Sequence, residues 1–201
     1  MKSNWMKFAL VLCVLFVSVA QAQTAKVGVL AGLNLANVSV EDMDDDNFDT
    51  RSGLAMGVFL HASMSPYLAF QPELVYASKG FKSQGFNGDV TSKLNYIDIN
   101  LLGKVIVPTQ APIRPTLLAG PYAGILVKGE WEDEDGNTED IEDVKSMDFG
   151  LIIGGGIDVS LVQNMLSLMV RYEIGLANIS DAEGEPDAKN KVLSLVAGFT
   201  F

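Results

Sequence analysis

Beyond residue 24 the chain sets apolar residues one position apart, with small or polar residues between them. One parity reads Val27, Val29, Leu33, Leu35, then Leu54, Met56, Val58, Leu60, then Leu68, Phe70, Leu74, Tyr76. It continues through Ile97, Ile99, Leu101, Leu117, Ile125, Leu151, Ile153, Leu168 and Val170 to Leu193, Leu195, Ala197, Phe199 and Phe201. No charged residue falls on this set, whereas the other parity carries Gly28, Gly32, Asn34, Gly57, Gln71, Asn100, Gly120, Gly154 and Ser194. Successive side chains of a strand point to opposite faces, so each run is a strand with one apolar and one polar wall. The runs predict eight strands, at 25–37, 53–63, 68–79, 94–107, 115–128, 148–161, 165–178 and 191–201. Short links (64–67, 108–114, 162–165) alternate with long polar stretches (39–51, 80–93, 129–147, 180–191). No stretch of this region has apolar residues at helical spacing. The predicted fold class is all-β, antiparallel and up-and-down.

Parity by itself leaves open which wall is inside. A soluble lipocalin-like barrel would turn the apolar wall inward around a ligand, and a membrane barrel would turn it outward into lipid. Three features favour the second. The polar wall is rich in glycine and sparse in charge, unlike a surface that faces water. Long polar stretches fall at one rim and tight links at the other, as in outer-membrane barrels. The runs also reach the roughly 9–11 residues that a tilted strand needs to cross a bilayer core. The reading is therefore an eight-stranded antiparallel transmembrane β-barrel, in which the last strand must pair with the first because lipid cannot satisfy an open edge. Phe201 then stands at the lipid-facing end of the closing strand.

Charge sharpens this picture. The formal net charge is −11, yet 48% of residues are hydrophobic and the mean hydropathy is +0.24. Of the 25 acidic residues, all but Glu73, Asp98, Asp148, Asp158 and Glu173 sit in the four polar stretches. Such a balance argues against nucleic-acid binding, which needs cations against phosphate. The start of the chain differs from the rest. Lys2 and Lys7 precede the apolar stretch "FALVLCVLFVSVA", and "AQA" follows at 20–22. That is the pattern of a signal peptide, 1–22, cleaved before Gln23. The apolar stretch is too short to span a membrane, which takes about 20 residues. Cleavage would remove Cys13, the single cysteine, leaving a barrel domain at 23–201 without disulfides.

The stretches "FQPELVYASKGF", "LNYIDINLLGKV", "RPTLLAGPYAGILV", "DFGLIIGGGIDVSL", "LSLMVRYEIGLANIS" and "VLSLVAGFTF" together resemble the porin-like family of small outer-membrane β-barrel domains. The resemblance implies an eight-stranded OmpA/OmpX-like barrel in a Gram-negative outer membrane, with outer-membrane lipid as its surroundings. The alternation ending in Phe199 and Phe201 also resembles the C-terminal signal read by outer-membrane assembly machinery. The resemblance brings no catalytic set and no cofactor. Eight strands enclose room only for side chains, whereas open porins have about 16–18.

Several residues are candidates for chemistry. Glu73, Asp98, Lys104, Arg114, Arg171 and Glu173 fall on the inward parity, as do Lys79, Asp148 and Asp158. The first six would be desolvated in a narrow lumen and should pair, either as an ion or proton path or as a plug of salt bridges. The acidic stretches "EDMDDDNFD" and "EWEDEDGNTED" lack the spacing of a dedicated calcium loop, so they are read as solvated segments that bridge divalent cations loosely. His61, the only histidine, is expected inward at the tight-link rim without a nucleophile beside it. Gly154–Gly156 lacks the lysine and helix start of a phosphate loop. Trp131 lies in the third polar stretch. Pro72 and Pro121 interrupt paired strands and are read as bulge positions. The expected function is a non-enzymatic barrel with a structural or adhesive role through its outer loops. The alternatives are a narrow channel and a soluble ligand-binding barrel.

Overall fold

A computed structural model describes residues 24–40, 48–85, 88–133, 136–141, 144–180 and 187–201. The expected leader 1–22, with cleavage before Gln23, lies outside these residues, as do positions 41–47, 86–87, 134–135, 142–143 and 181–186 of the polar stretches. Among the described residues nine strands occur: β1 (Thr24–Val40), β2 (Phe48–Ser65), β3 (Leu68–Gly85), β4 (Gly88–Ile106), β5 (Ile113–Glu132), β6 (Thr138–Asp140), β7 (Met147–Ser160), β8 (Met165–Gly175) and β9 (Ala188–Thr200). All pairings are antiparallel, and eight of the strands close a ring in the order β1-β2-β3-β4-β5-β7-β8-β9. The ring closes where β9 pairs with β1, from Thr200↔Gly28 to Ala188↔Val40. The Phe201 N–H donates to the Val27 carbonyl at 2.9 Å. The terminal residue is thus held by the first strand.

The apolar wall faces out. Leu33, Ile99 and Val170 are 58%, 43% and 51% exposed, which overturns the soluble, inside-apolar alternative. Phe199 and Phe201 stack edge to face, with ring centroids 5.2 Å apart, at the end of this belt. The inner wall is less polar than the sequence pattern suggests. Leu30, Phe59, Val75 and Val196 form one apolar cluster, and Leu102, Leu118, Ile152 and Met169 another around Tyr122. Large apolar residues on the inward parity fill the space beside glycines, so the lumen packs as a core between its ions.

Strand lengths also depart from the pattern. The polar stretch 80–93 is not a long loop: β3 and β4 run on together to Gly85↔Gly88. At 18 and 19 residues they are nearly twice what crossing a bilayer core takes, about 9–11. Likewise β5 reaches Glu132 and folds back on β6, with Trp131 opposite Glu139. Backbone ladders need no apolar side chains, so pairing persists after the hydrophobic alternation stops at the lipid boundary. Above that boundary Val38, Leu94, Tyr96 and Ile179 bury one another, with Phe81, Ile141 and Val144 packed against them. The Val144↔Ser180 bridge and the bond from Lys145 N–H to the Ile179 carbonyl (2.9 Å) tie two connecting segments together over this end.

The prolines are not bulges. Pro72 pairs in unshifted register with Leu101, and Pro121 with Leu151. Each spares only the ladder on its other edge, where its missing donor would have pointed. Register shifts occur elsewhere, one of them between Thr50 and Ala55 where β2 meets β3. At that irregularity Arg51 donates to Ser78 Oγ (3.2 Å) and to the Lys79 carbonyl, and Asn34 Nδ2 donates to the Ser78 carbonyl (3.3 Å). Gly80 follows with a φ of 121°. A Cβ there would also collide with the Ser92 carbonyl. Gly80→Ala is therefore expected to lower stability by about 1–3 kcal/mol, read by urea titration of Trp131 fluorescence in detergent. Gly103→Ala, whose nearest neighbour would be Ala119 O at 3.7 Å, is expected to stay within about 0.5 kcal/mol.

Candidate functional site

Inward parity brings the charged residues of β3, β4, β7 and β8 into one narrow lumen. They stack in three tiers between the loop end, where the long connections lie, and the turn end. Nearest the loop end is Lys79 on β3. Its Nζ reaches Asp98 on β4 at 3.0 Å, Asp148 on β7 at 3.4 Å, and Glu173 on β8. The ammonium is fully buried and lies 4.5 Å from the Tyr122 ring centroid and 5.1 Å from that of Tyr96, within cation–π range. The Tyr122 hydroxyl (3.1 Å) and Asn190 Nδ2 (2.9 Å) donate to Asp148 Oδ2.

The middle tier is a fork. Arg171 on β8 donates through both terminal nitrogens to Glu73 on β3, at 2.8 and 2.9 Å. Gln71 Nε2 (2.8 Å) and Asn100 Nδ2 (3.0 Å) add two further donors to the same carboxylate. In the ring order β3 and β8 stand opposite each other, so this pair and Lys79–Glu173 brace the barrel across its width. Toward the turn end Lys104 on β4 binds Asp158 on β7 at 2.8 Å, and Ser167 Oγ donates to the same oxygen at 2.7 Å. His61 is buried in this region, across the β1–β2 pair from Lys26.

Glu73, Asp98, Lys104, Arg171 and Glu173 all take part in these tiers. Arg114 does not: its Nη2 contacts Met165 Sδ at 3.4 Å, and it enters no ion pair among the described residues. Burial of a guanidinium stem along apolar surface accounts for its place. Three partners were missing from the candidate set, namely Lys79, Asp148 and Asp158. Their inward parity was the signal that could have found them. Lys79 closes the predicted strand 68–79 and borders a polar stretch, which hides its role as the hub of the first tier.

Between the upper two tiers lies a cavity of about 30 Å³, lined by Asp98, Asn100, Arg171 and Glu173 and by apolar residues such as Leu30 and Val196. Asp98 Oδ1, Asn100 Oδ1 and Arg171 Nε have no hydrogen-bond partner among the described residues, so the space suits a water molecule or two. Among the described residues no group of acidic, histidine or cysteine side chains has the arrangement of a metal site. Gly154–Gly156 lies inside β7. Trp131 packs edge-on against Phe81 at 5.9 Å.

Residues 20–181 match the outer membrane protein beta-barrel domain family. Among solved structures the chain is similar to Neisserial surface protein A, at 17% identity and a TM-score of 0.54 over 89% of this chain and 98% of that one. It is also similar to OprG of Pseudomonas aeruginosa, at 13% identity and a TM-score of 0.53 over 90% and 97%. At these identities the likeness is one of fold. No curated protein sequence matches it significantly.

Proposed function

Because the chain belongs to the outer membrane protein beta-barrel domain family, and so resides in the cell outer membrane, we propose that it is a non-enzymatic barrel with a closed lumen. Its work is then done at the loop end, on the outside of the cell. The observation that carries the closed lumen is the Arg171–Glu73 fork, saturated by Gln71 and Asn100 and reaching from one wall to the other. A solute would have to part this pair, and removing one partner of a buried pair costs about 3–5 kcal/mol. The loop end offers a broader stage. The β3–β4 ladder and the β5–β6 hairpin rise past the apolar belt, and a small apolar core stiffens them. With acidic stretches fringing it, this platform suits adhesive contact with a partner at the cell surface. The leader 1–22 would export the chain, and Phe199 and Phe201 would present the closing strand to assembly machinery.

A narrow channel is the second reading. It draws on the unpartnered Asp98, Asn100 and Arg171 atoms around the small cavity. Planar-bilayer recording separates the two: the closed barrel gives a flat trace, and steady ion-selective steps would overturn it. Protease shaving of intact cells, in the same test of function, is expected to cut within 39–51 and 129–147. Protection of both stretches would place the loop end on the wrong side.

A further inference from the structure

The charges inside the barrel do not balance. The two tiers toward the loop end set Lys79 and Arg171 against Glu73, Asp98, Asp148 and Glu173, two cations to four carboxylates. Arg51 is taken up by Ser78 and the Lys79 carbonyl. Residues 41–47, 86–87, 134–135, 142–143 and 181–186, outside the described set, include no lysine or arginine. The shortage is localised. Glu73 accepts from Arg171, Gln71 and Asn100, and Asp148 accepts from Tyr122 and Asn190. Asp98 and Glu173 share the Lys79 ammonium, and Asp98 Oδ1 has no hydrogen-bond partner among the described residues. These two side chains, with Asn100, Arg171 and Ser194, line the cavity of about 30 Å³. Asp98 and Asn100 are only 2% and 4% exposed. The Asn100 amide nitrogen donates to Glu73, a carboxylate that can only accept. Its oxygen is therefore the end turned away, and that oxygen also has no partner among the described residues.

We propose that this cavity binds one small monovalent cation, sodium, through carboxylate oxygens of Asp98 and Glu173 and the amide oxygen of Asn100. The space takes about two water-sized occupants, so the ion and one water fill it. One lone pair of that water accepts from Arg171 Nε, unpartnered among the described residues, and the other faces the ion, which holds the guanidinium off it. A divalent ion does not suit the site. Calcium takes about six to eight oxygens and magnesium a near-octahedral cage, and two carboxylates, one amide and one water fall short of either. A single positive charge is favoured here because it enters a buried region with surplus negative charge, where a balanced lumen would repel it by its desolvation cost alone. The ion lies beside the Arg171–Glu73 fork and has no need to pass it, so the site goes beyond the closed-lumen reading without requiring conduction.

The test is urea unfolding of the purified protein in nonionic detergent, followed by Trp131 fluorescence, in sodium chloride and in choline chloride of equal concentration. With sodium at about ten times its dissociation constant, the unfolding equilibrium constant is expected to be about tenfold smaller than in choline. Asp98→Asn is expected to erase that difference. Asn100→Ala weakens the barrel in both salts, because Glu73 loses a donor, and is expected to shrink the difference as well. A purely structural asparagine would lower both midpoints equally and leave the difference intact. Glu130→Gln, at the rim pair with Lys128, is expected to keep the parental difference and controls for sodium gathered by the acidic stretches. Heat-modifiable gel mobility verifies that each variant folds. Equal unfolding constants in the two salts overturn the site, as does a sodium effect that survives both Asp98→Asn and Asn100→Ala. Stability that falls as pH rises, alike in both salts, overturns it in favour of a proton held by these carboxylates. Conductance steps in a planar bilayer would defeat the closed lumen and leave the sodium dependence to be judged by these variants alone.

Discussion

Replacing Lys79 by methionine is expected to leave the chain unable to complete its barrel in detergent at neutral pH. The ammonium is the only cation within reach of Asp98, Asp148 and Glu173 among the described residues. None of the three has bulk water to fall back on. Stranding one buried partner costs about 3–5 kcal/mol. Stranding three at once exceeds what a domain stable by about 5–15 kcal/mol can be relied on to absorb. Tyr122 and Asn190 still donate to Asp148, but among the described residues Asp98 Oδ1 and Asp148 Oδ1 have no hydrogen-bond partner even with Lys79 in place. The readout is the loss of the fast-migrating, heat-modifiable band. Adding Asp98→Asn, Asp148→Asn and Glu173→Gln to the methionine variant is expected to bring the band back, because a neutral cluster has nothing to strand. A single Lys79→Met variant that folds like the parent would show that the first tier is not ion-paired.

Arg171→Leu is the second large effect, about 3–5 kcal/mol, measured by urea titration of Trp131 fluorescence. Its cause is narrower. Glu73 keeps its bonds from Gln71 and Asn100 but loses the fork and its counter-charge. Combining Arg171→Leu with Glu73→Leu is expected to recover most of the loss, since paired buried ions often exchange for apolar residues at little net cost. The recovery separates charge from packing: if the double variant stays as weak as the single one, the guanidinium acts through volume instead. An Arg171→Leu variant that unfolds at the parental urea midpoint would remove the fork from any account of how the lumen is closed.

These side chains show where sequence patterning stops. The apolar parity from Val27 to Phe201 is legible because lipid demands it of every strand, and the inward placement of Glu73, Asp98 and Arg171 follows from the same alternation. Pairing is another matter. Glu73 and Arg171 meet only because β3 and β8 fall opposite each other once the ring closes, and no local pattern carries that information. Lys79 illustrates a second limit. It sits where the predicted strand 68–79 ends and a polar stretch begins, yet β3 continues to Gly85, so a residue that reads as a strand terminus lies deep in the lumen. Phe59, Leu102 and Ile152 expose a third. Their inward parity is plain, but an inner wall assigned to small and polar residues leaves no room for apolar packing that the narrow bore in fact requires.

Of the eight joints around the ring, only that between β1 and β9 unites the first and last strands. Six of the others connect consecutive strands and the seventh, β5 with β7, brackets only the short β6, so their closure entropy is small and can be met one hairpin at a time. The remaining joint is a seam, and it inherits nearly all of the kinetic burden. Until it zips, seven-eighths of the ladder is still a curled ribbon with two bare edges, and in hydrocarbon such a ribbon has no resting state short of completion.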